Sequence, residues 1–225
     1  MIKLRNFKKA YKNNTIFKDV NIEFAPKKIT FVMGPNGVGK TTLIKSILKL
    51  EDYNGEITFK ENLHVDDIRK GCLVIWDDCP FYINLSGIKN LLIYAEKKIS
   101  KQYANDIAIK YLSNDVLKRK VKSYSYGQKK KLALALMEIL DPEIIIMDEI
   151  SNGLDYEIIQ FLKQHLLELS KSKTIILTGH QFDFYNDIID DLIILKNHNL
   201  IKFKGEFKNS GKRLEDIYEN ELYSE

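Results

Sequence analysis

Gly34-Pro35-Asn36-Gly37-Val38-Gly39-Lys40-Thr41-Thr42 combines the residue types and spacing of a phosphate cradle. Glycines at 34, 37 and 39 let successive backbone N–H groups turn toward one point, where an anion is held. Lys40 is spaced to reach the β- and γ-phosphates, and the Thr41 hydroxyl is a ligand for Mg2+. Such a loop has meaning only between a buried strand and a helix. Lys28–Met33 is a short β-branched and apolar run, and apolar residues at 43, 44, 47, 48 and 50 follow helical spacing. The helix N-terminus adds its partial positive charge at the same point. The chain is therefore expected to bind a nucleoside triphosphate.

Hydrolysis of that ligand needs carboxylates. Ile144–Met147 is an apolar run ending in Asp148 and Glu149. At the C-terminal edge of a parallel sheet, Asp148 is placed to hold Mg2+ through water and Glu149 to polarise the attacking water. Two acids after a strand also suit the plain start of a loop. His180 follows the run 174–178 and falls at the same edge, within reach of a γ-phosphate. His64, His165 and His198 receive no role. A second anion site is the helix opened by Ser125-Tyr126-Gly127-Gln128, where Ser125 and Gln128 have capping-box spacing. Lys129, Lys130 and Lys131 then sit in a first turn whose dipole disfavours cations, which favours an anionic ligand nearby. Asp155 caps the next helix. Tyr11, at the end of the first strand, either stacks on an adenine ring or covers the sheet edge.

The elements required to position these groups are those of an α/β protein. The 225 residues bury one core, with 44% apolar and 29% charged residues. Strands are expected at 1–8, 17–24, 28–33, 56–59, 71–76, 144–147, 174–177, 192–195 and 200–203. Helices are expected at 43–50, 127–140, 156–170, 183–189 and 213–223. Between 87 and 122 two helical patterns occur without strand signals, a small helical insertion. No apolar run approaches the ~18 residues of a membrane span. Cys72 and Cys79 lack metal-ligand spacing and read as reduced thiols of a cytoplasmic protein. A formal charge of +4 permits contact with an anionic membrane face and gives no support to nucleic-acid binding.

These motifs, in this order, make the chain resemble the ATP-binding subunit of ABC transporters over nearly its whole length. Gly34–Thr42 is similar to that family's Walker A loop, Tyr124–Gln128 to its signature loop and Ile144–Glu149 to its Walker B strand. Ser151–Asp155 resembles its D-loop, His180 its switch histidine and Tyr11 its adenine-stacking aromatic. The resemblance implies a P-loop NTPase core with an N-terminal antiparallel β subdomain (1–76 and 123–225) and a helical subdomain (about 87–122), all one domain. It implies ATP and Mg2+ as ligands, a head-to-tail pair of ATP-binding subunits and a transmembrane permease as partner at the inner face of the membrane. A soluble ABC-type ATPase in an assembly process, such as iron–sulfur cluster building, is the alternative. Nucleic-acid relatives carry a long coiled coil or two cassettes, and this chain has neither. Two residues depart from the family: Tyr126 replaces the first signature glycine, and Asp77 (or Asp78, one register on) replaces a glutamine that touches Mg2+. The departures imply hydrolysis that is slow or unusually Mg2+-dependent.

Overall fold

A computed structural model describes residues 1–59, 71–96 and 98–222 of the chain; His64 and Tyr223 lie outside the described residues. Strands β1 (Ile2–Tyr11), β2 (Asn14–Phe24) and β4 (Asn54–Phe59) make an antiparallel sheet in the order β2-β1-β4. Strands β3 (Ile29–Met33), β5 (Cys72–Ile75), β6 (Ile144–Asp148), β7 (Thr174–Thr178), β8 (Asp191–Lys196) and β9 (Asn199–Lys202) make the main sheet, in the order β5-β6-β7-β3-β8-β9. All its pairs are parallel except β8–β9.

The main sheet is buried on both faces, which is why its strands read as continuous apolar runs. Ile145, Met147, Ile175, Leu177, Phe31 and Met33 face one core. Ile146, Ile176, Ile193 and Val32, from alternate positions of the same strands, face a second core with Leu43, Ile44 and the antiparallel sheet. That second core holds helix α1 (Lys40–Ile47). The first core takes helices α2 (Gly87–Tyr94), α3 (Lys101–Ala108), α4 (Asn114–Lys118), α5 (Tyr126–Leu140) and α6 (Tyr156–Ser170), together with Leu214 and Ile217 near the C-terminus. Side chains such as Leu132, Leu134 and Leu162 are inaccessible to water, each contributing roughly 1.5–3 kcal/mol by burial.

Between residues 87 and 123 the described chain is three helices and a 3₁₀ turn, Val121–Ser123, without a strand. Each of the three starts at a serine cap: Ser86, Ser100 and Ser113 accept from the N–H groups of Lys89, Tyr103 and Val116. The expected helix at 183–189 is only one turn, α7 (Phe182–Tyr185). Beyond it Ile188 and Ile189 turn into the core, and Asp190 Oδ2 accepts the Ile29 N–H at 2.9 Å. Likewise β1 and β2 extend to a tight hairpin in which Tyr11 pairs with Asn14, so the strand expected at 17–24 begins three residues earlier. The last element of the described residues is α8 (Leu214–Leu222).

Candidate functional site

Four neighbouring parallel strands end at one edge of the main sheet. Register pairs Ile75 with Met147, Met147 with Leu177 and Leu177 with Phe31. The residues just past these strands are Trp76–Asp78, Asp148–Glu149, Thr178–His180 and the Gly34 loop, so the parallel register itself collects them.

The loop from Gly34 enters α1 without a side-chain cap, leaving the first-turn N–H groups available to an anion. Gly39 has φ 120°, a value closed to L side chains, and a methyl there would stand 2.5 Å from Ile16 of β2. The Lys40 ammonium is buried and donates to the carbonyls of Gly34 (2.7 Å) and Pro35 (3.1 Å). Burial lowers its pKa, opposed by the Glu149 and Asp148 carboxylates. Thr41 Oγ1 lies 3.3 Å from Asp148 Oδ2, while Asp148 Oδ1 accepts from the Thr178 hydroxyl. Hydroxyl and carboxylate oxygens side by side are a donor set suited to a hard divalent cation.

Glu149 adopts φ 54°. Its carboxylate accepts from Asn152 Nδ2 at 2.6 Å, and its other oxygen lies 3.5 Å from His180 Nε2 without hydrogen-bond geometry. Burial, then the Lys40 charge, lowers the His180 pKa and keeps the imidazole neutral near pH 7. Tyr185, fully buried, donates to the Thr178 carbonyl at 2.8 Å and pins this strand end.

Tyr11 is exposed at the β1–β2 hairpin, where it pairs with Asn14, while Ile16 of the same hairpin reaches Gly39 of the loop. Its phenol donates to the Glu51 carboxylate, and the Lys9 ammonium lies 4.5 Å from the ring centre.

Ser125 and Gln128 form the expected capping box: the Gln128 N–H donates to Ser125 Oγ at 3.2 Å, and the Ser125 N–H to Gln128 Oε1 at 3.1 Å. Asp155 caps α6 through the Ile158 N–H at 3.0 Å. The lysine run is a different matter from a solvated basic stripe. Lys131 pairs with Asp155 at 3.0 Å, and Lys130 is fully buried, donating to Asp77 Oδ1 and to the Glu149 carbonyl, each at 3.2 Å. Two of the three cations thus answer carboxylates of this chain rather than calling for a bound anion. Asp77 and Asp78 do line one cleft with Thr41, Lys45 and Asp148. One oxygen of Asp77, however, is already held by the Tyr126 hydroxyl as well as by Lys130.

Thr178, Asn152 and Lys130 were not singled out from the sequence. A threonine ending a strand beside an acid is a readable hint for Thr178, whereas nothing local marks Lys130 among three lysines.

The sequence profile of the ABC transporter family matches residues 17–152. The lantibiotic transport ATP-binding protein SrtF of Streptococcus pyogenes is 31% identical over 230 residues, covering all of this chain and 99% of that protein. The bacitracin transport ATP-binding protein BcrA of Enterococcus faecalis is 31% identical over 213 residues, covering 90% of this chain and 68% of its own length. Among solved structures, an ATP-binding subunit of an ABC transporter superposes over the full length of both chains with a TM-score of 0.86 at 23% identity. The dimeric bacterial cassette MJ0796 superposes with a TM-score of 0.79 at 23% identity, covering 91% of this chain and all of that one. The chain belongs to the ABC transporter family, as one of its ATP-binding, ATP-hydrolysing proteins.

Proposed function

We propose that this protein is the ATPase subunit of a membrane transporter, docked on the inner membrane face against a permease and working as a pair of ATP-binding subunits. Each ATP lies between the Gly34–Thr42 loop of one subunit and Ser125, Tyr126, Gly127 and Gln128 of the other, with Asp155 beside the seam. The observation that carries this reading is the meeting of Lys40, Thr41, Asp148, Glu149 and His180 at one sheet edge, with the capped N-terminus of α5 as a second element. One chain offers a cradle and a capped helix end, and two chains head to tail would set the helix end of one against the cradle of the other.

Adenine stacks on Tyr11, whose ring Glu51 holds in place. The phosphates settle on the N–H groups of Gly34, Pro35, Asn36, Gly37, Val38 and Gly39 and of α1, with Lys40, Thr41 and Thr42 around them. Lys40 exchanges the Gly34 and Pro35 carbonyls for phosphate oxygens, so that its charge meets an opposite full charge instead of a carbonyl dipole. Thr41 and Asp148, with Asp77 in the same cleft, are the residues that would hold Mg2+, and the ion would neutralise phosphate charge. Glu149, oriented by Asn152, accepts a proton from the attacking water, and neutral His180 donates to the γ-phosphate.

Glu149→Gln tests the chemistry. The variant binds Mg·ATP, loses about 10²- to 10⁴-fold in hydrolysis and accumulates as an ATP-dependent dimer on sizing. Normal turnover would remove Glu149 from the role. SrtF and BcrA are named for lantibiotic and bacitracin transport, which weighs for transport over an assembly ATPase. Co-purification with a polytopic protein from native membranes separates the two, since a soluble complex lacking such a protein would favour assembly.

A further inference from the structure

Among the described residues, Lys130 is a fully buried charged side chain that the reaction scheme leaves unused. Its accessible surface is zero, and a buried lysine gives up roughly 1.5–2 kcal/mol of rotamer freedom. Stability alone is a weak reason to keep it, because an apolar side chain of the same volume commonly serves a core as well as a buried ion pair. What its ammonium touches is more telling. Nζ donates to the backbone carbonyl of Glu149 at 3.2 Å and to Asp77 Oδ1 at 3.2 Å, and stands 5.2 Å from the centre of the Tyr126 ring.

The Glu149 peptide needs holding. A φ of 54° places a glutamate in the left-handed region, which costs a non-glycine residue on the order of 1 kcal/mol and persists only where neighbours over-determine it. Its N–H is fixed on the Thr178 carbonyl at 3.1 Å. Its carbonyl takes one neutral bond, from the Asn152 N–H at 3.3 Å, and one charged bond, from Lys130. The charged bond is the stronger of the two, and it comes from a different element, α5.

We propose that Lys130 is a positioning residue for ATP hydrolysis: it holds the Glu149 peptide in its left-handed conformation and so aims the carboxylate. Asp77 is its counter-ion, which makes the loop after β5 part of the same support. This rests on the base role proposed above for Glu149. Lys130 has no accessible surface to offer a nucleotide, so its loss affects turnover and leaves ATP binding in place.

The test uses the full chain, with Lys130→Met removing the charge at similar volume, alone and combined with Glu149→Gln, and with thermal unfolding measured for each. Lys130→Met is expected to lower kcat about tenfold, within the roughly 10²-fold that an ångström of misplacement costs, with the ATP KM changed less than twofold. In the Glu149→Gln background, read by single-turnover hydrolysis, it is expected to cost less than twofold, because the group it positions is already gone. Should Lys130→Met fail to fold, Lys130→Gln carries the test, its neutral amide replacing the charged bond to the Glu149 carbonyl, with about a threefold loss of kcat that vanishes beside Glu149→Gln. An unchanged kcat, or a loss undiminished beside Glu149→Gln, would overturn the inference. A Glu149→Gln enzyme that turns over normally brings down the base role itself, whereas a crippled Glu149→Gln enzyme with a silent Lys130→Met brings down this inference alone.

Discussion

The hydroxyl of Tyr126 lies 3.0 Å from the backbone carbonyl of Asp77 and also donates to its carboxylate, joining the first turn of α5 to the loop after β5. The ring rests on the backbone of Gly153, where a methyl group would stand 2.3 Å from Tyr126 Cδ1. Tyr126, the Asp77 loop and Gly153 therefore fit together as one packed unit within a single chain.

That fit predicts a coupled pair of substitutions. Gly153 has φ 69°, so Gly153→Ala carries backbone strain of roughly 1–2 kcal/mol plus the overlap with Tyr126. A destabilisation of about 2 kcal/mol is expected from denaturant unfolding, in the usual range for such backbone changes. In the Tyr126→Gly background the same substitution should cost about half as much, because only the strain remains. Equal costs in both backgrounds would show that the ring and the glycine do not press on each other.

Tyr126 also stands where the partner's ATP is proposed to lie. Tyr126→Gly opens the helix end, and its Glu149→Gln double variant should dimerise at lower Mg·ATP than Glu149→Gln alone, as read by sizing. A dimer that needs more nucleotide would instead make the phenol part of the contact.

Lys40 has two carbonyl partners without nucleotide and is expected to trade them for phosphates. Losing a charged hydrogen bond of about 1.5–3 kcal/mol weakens ATP binding some 10- to 150-fold, so Lys40→Met should bind ATP about 100-fold more weakly by calorimetry. Because burial lowers the Lys40 pKa, the group loses its proton earlier on alkaline titration than an ordinary lysine. Wild-type affinity should accordingly decline as pH rises, and Lys40→Met should show no such decline.

Asp77 adds a carboxylate to the cleft shared with Thr41 and Asp148. Without Mg2+ it repels the triphosphate, so Asp77→Gln should tighten Mg-free ATP binding, by about fivefold for a partly screened charge. Trp76 lines the same cleft and reports the binding by its fluorescence. An unchanged affinity would place the carboxylate outside the phosphates' field.

His165, half-buried against the Phe161 ring, faces Glu138 and Lys110. Burial first, and Lys110 last, lower its pKa against the opposing pull of Glu138. Below about pH 6.5 the unfolded chain takes up a proton that the folded chain resists, so stability falls with falling pH. His165→Gln should show a smaller drop in unfolding temperature between pH 7 and 5.5 than the wild type. Parallel curves would mean that His165 titrates alike in both states.

The phosphate loop, the acids after Ile144–Met147, the capping box and the cap at Asp155 were all legible as sequence because each is local. Strand, turn and helix follow one another within a dozen residues, and the chemistry depends on that order alone. The buried strands were legible for the same reason, since burial on both sheet faces writes itself as unbroken isoleucine and leucine. Only tertiary structure decided which of three consecutive lysines is buried, and that Asp77 spends one oxygen on Tyr126 and Lys130. Those partners lie 49 and 53 residues from Asp77 in the chain. They meet because β5 and β6 pair in parallel and α5 runs along β5 with its first turns at the Asp77 end, a relation set by the whole sheet that no window of sequence contains.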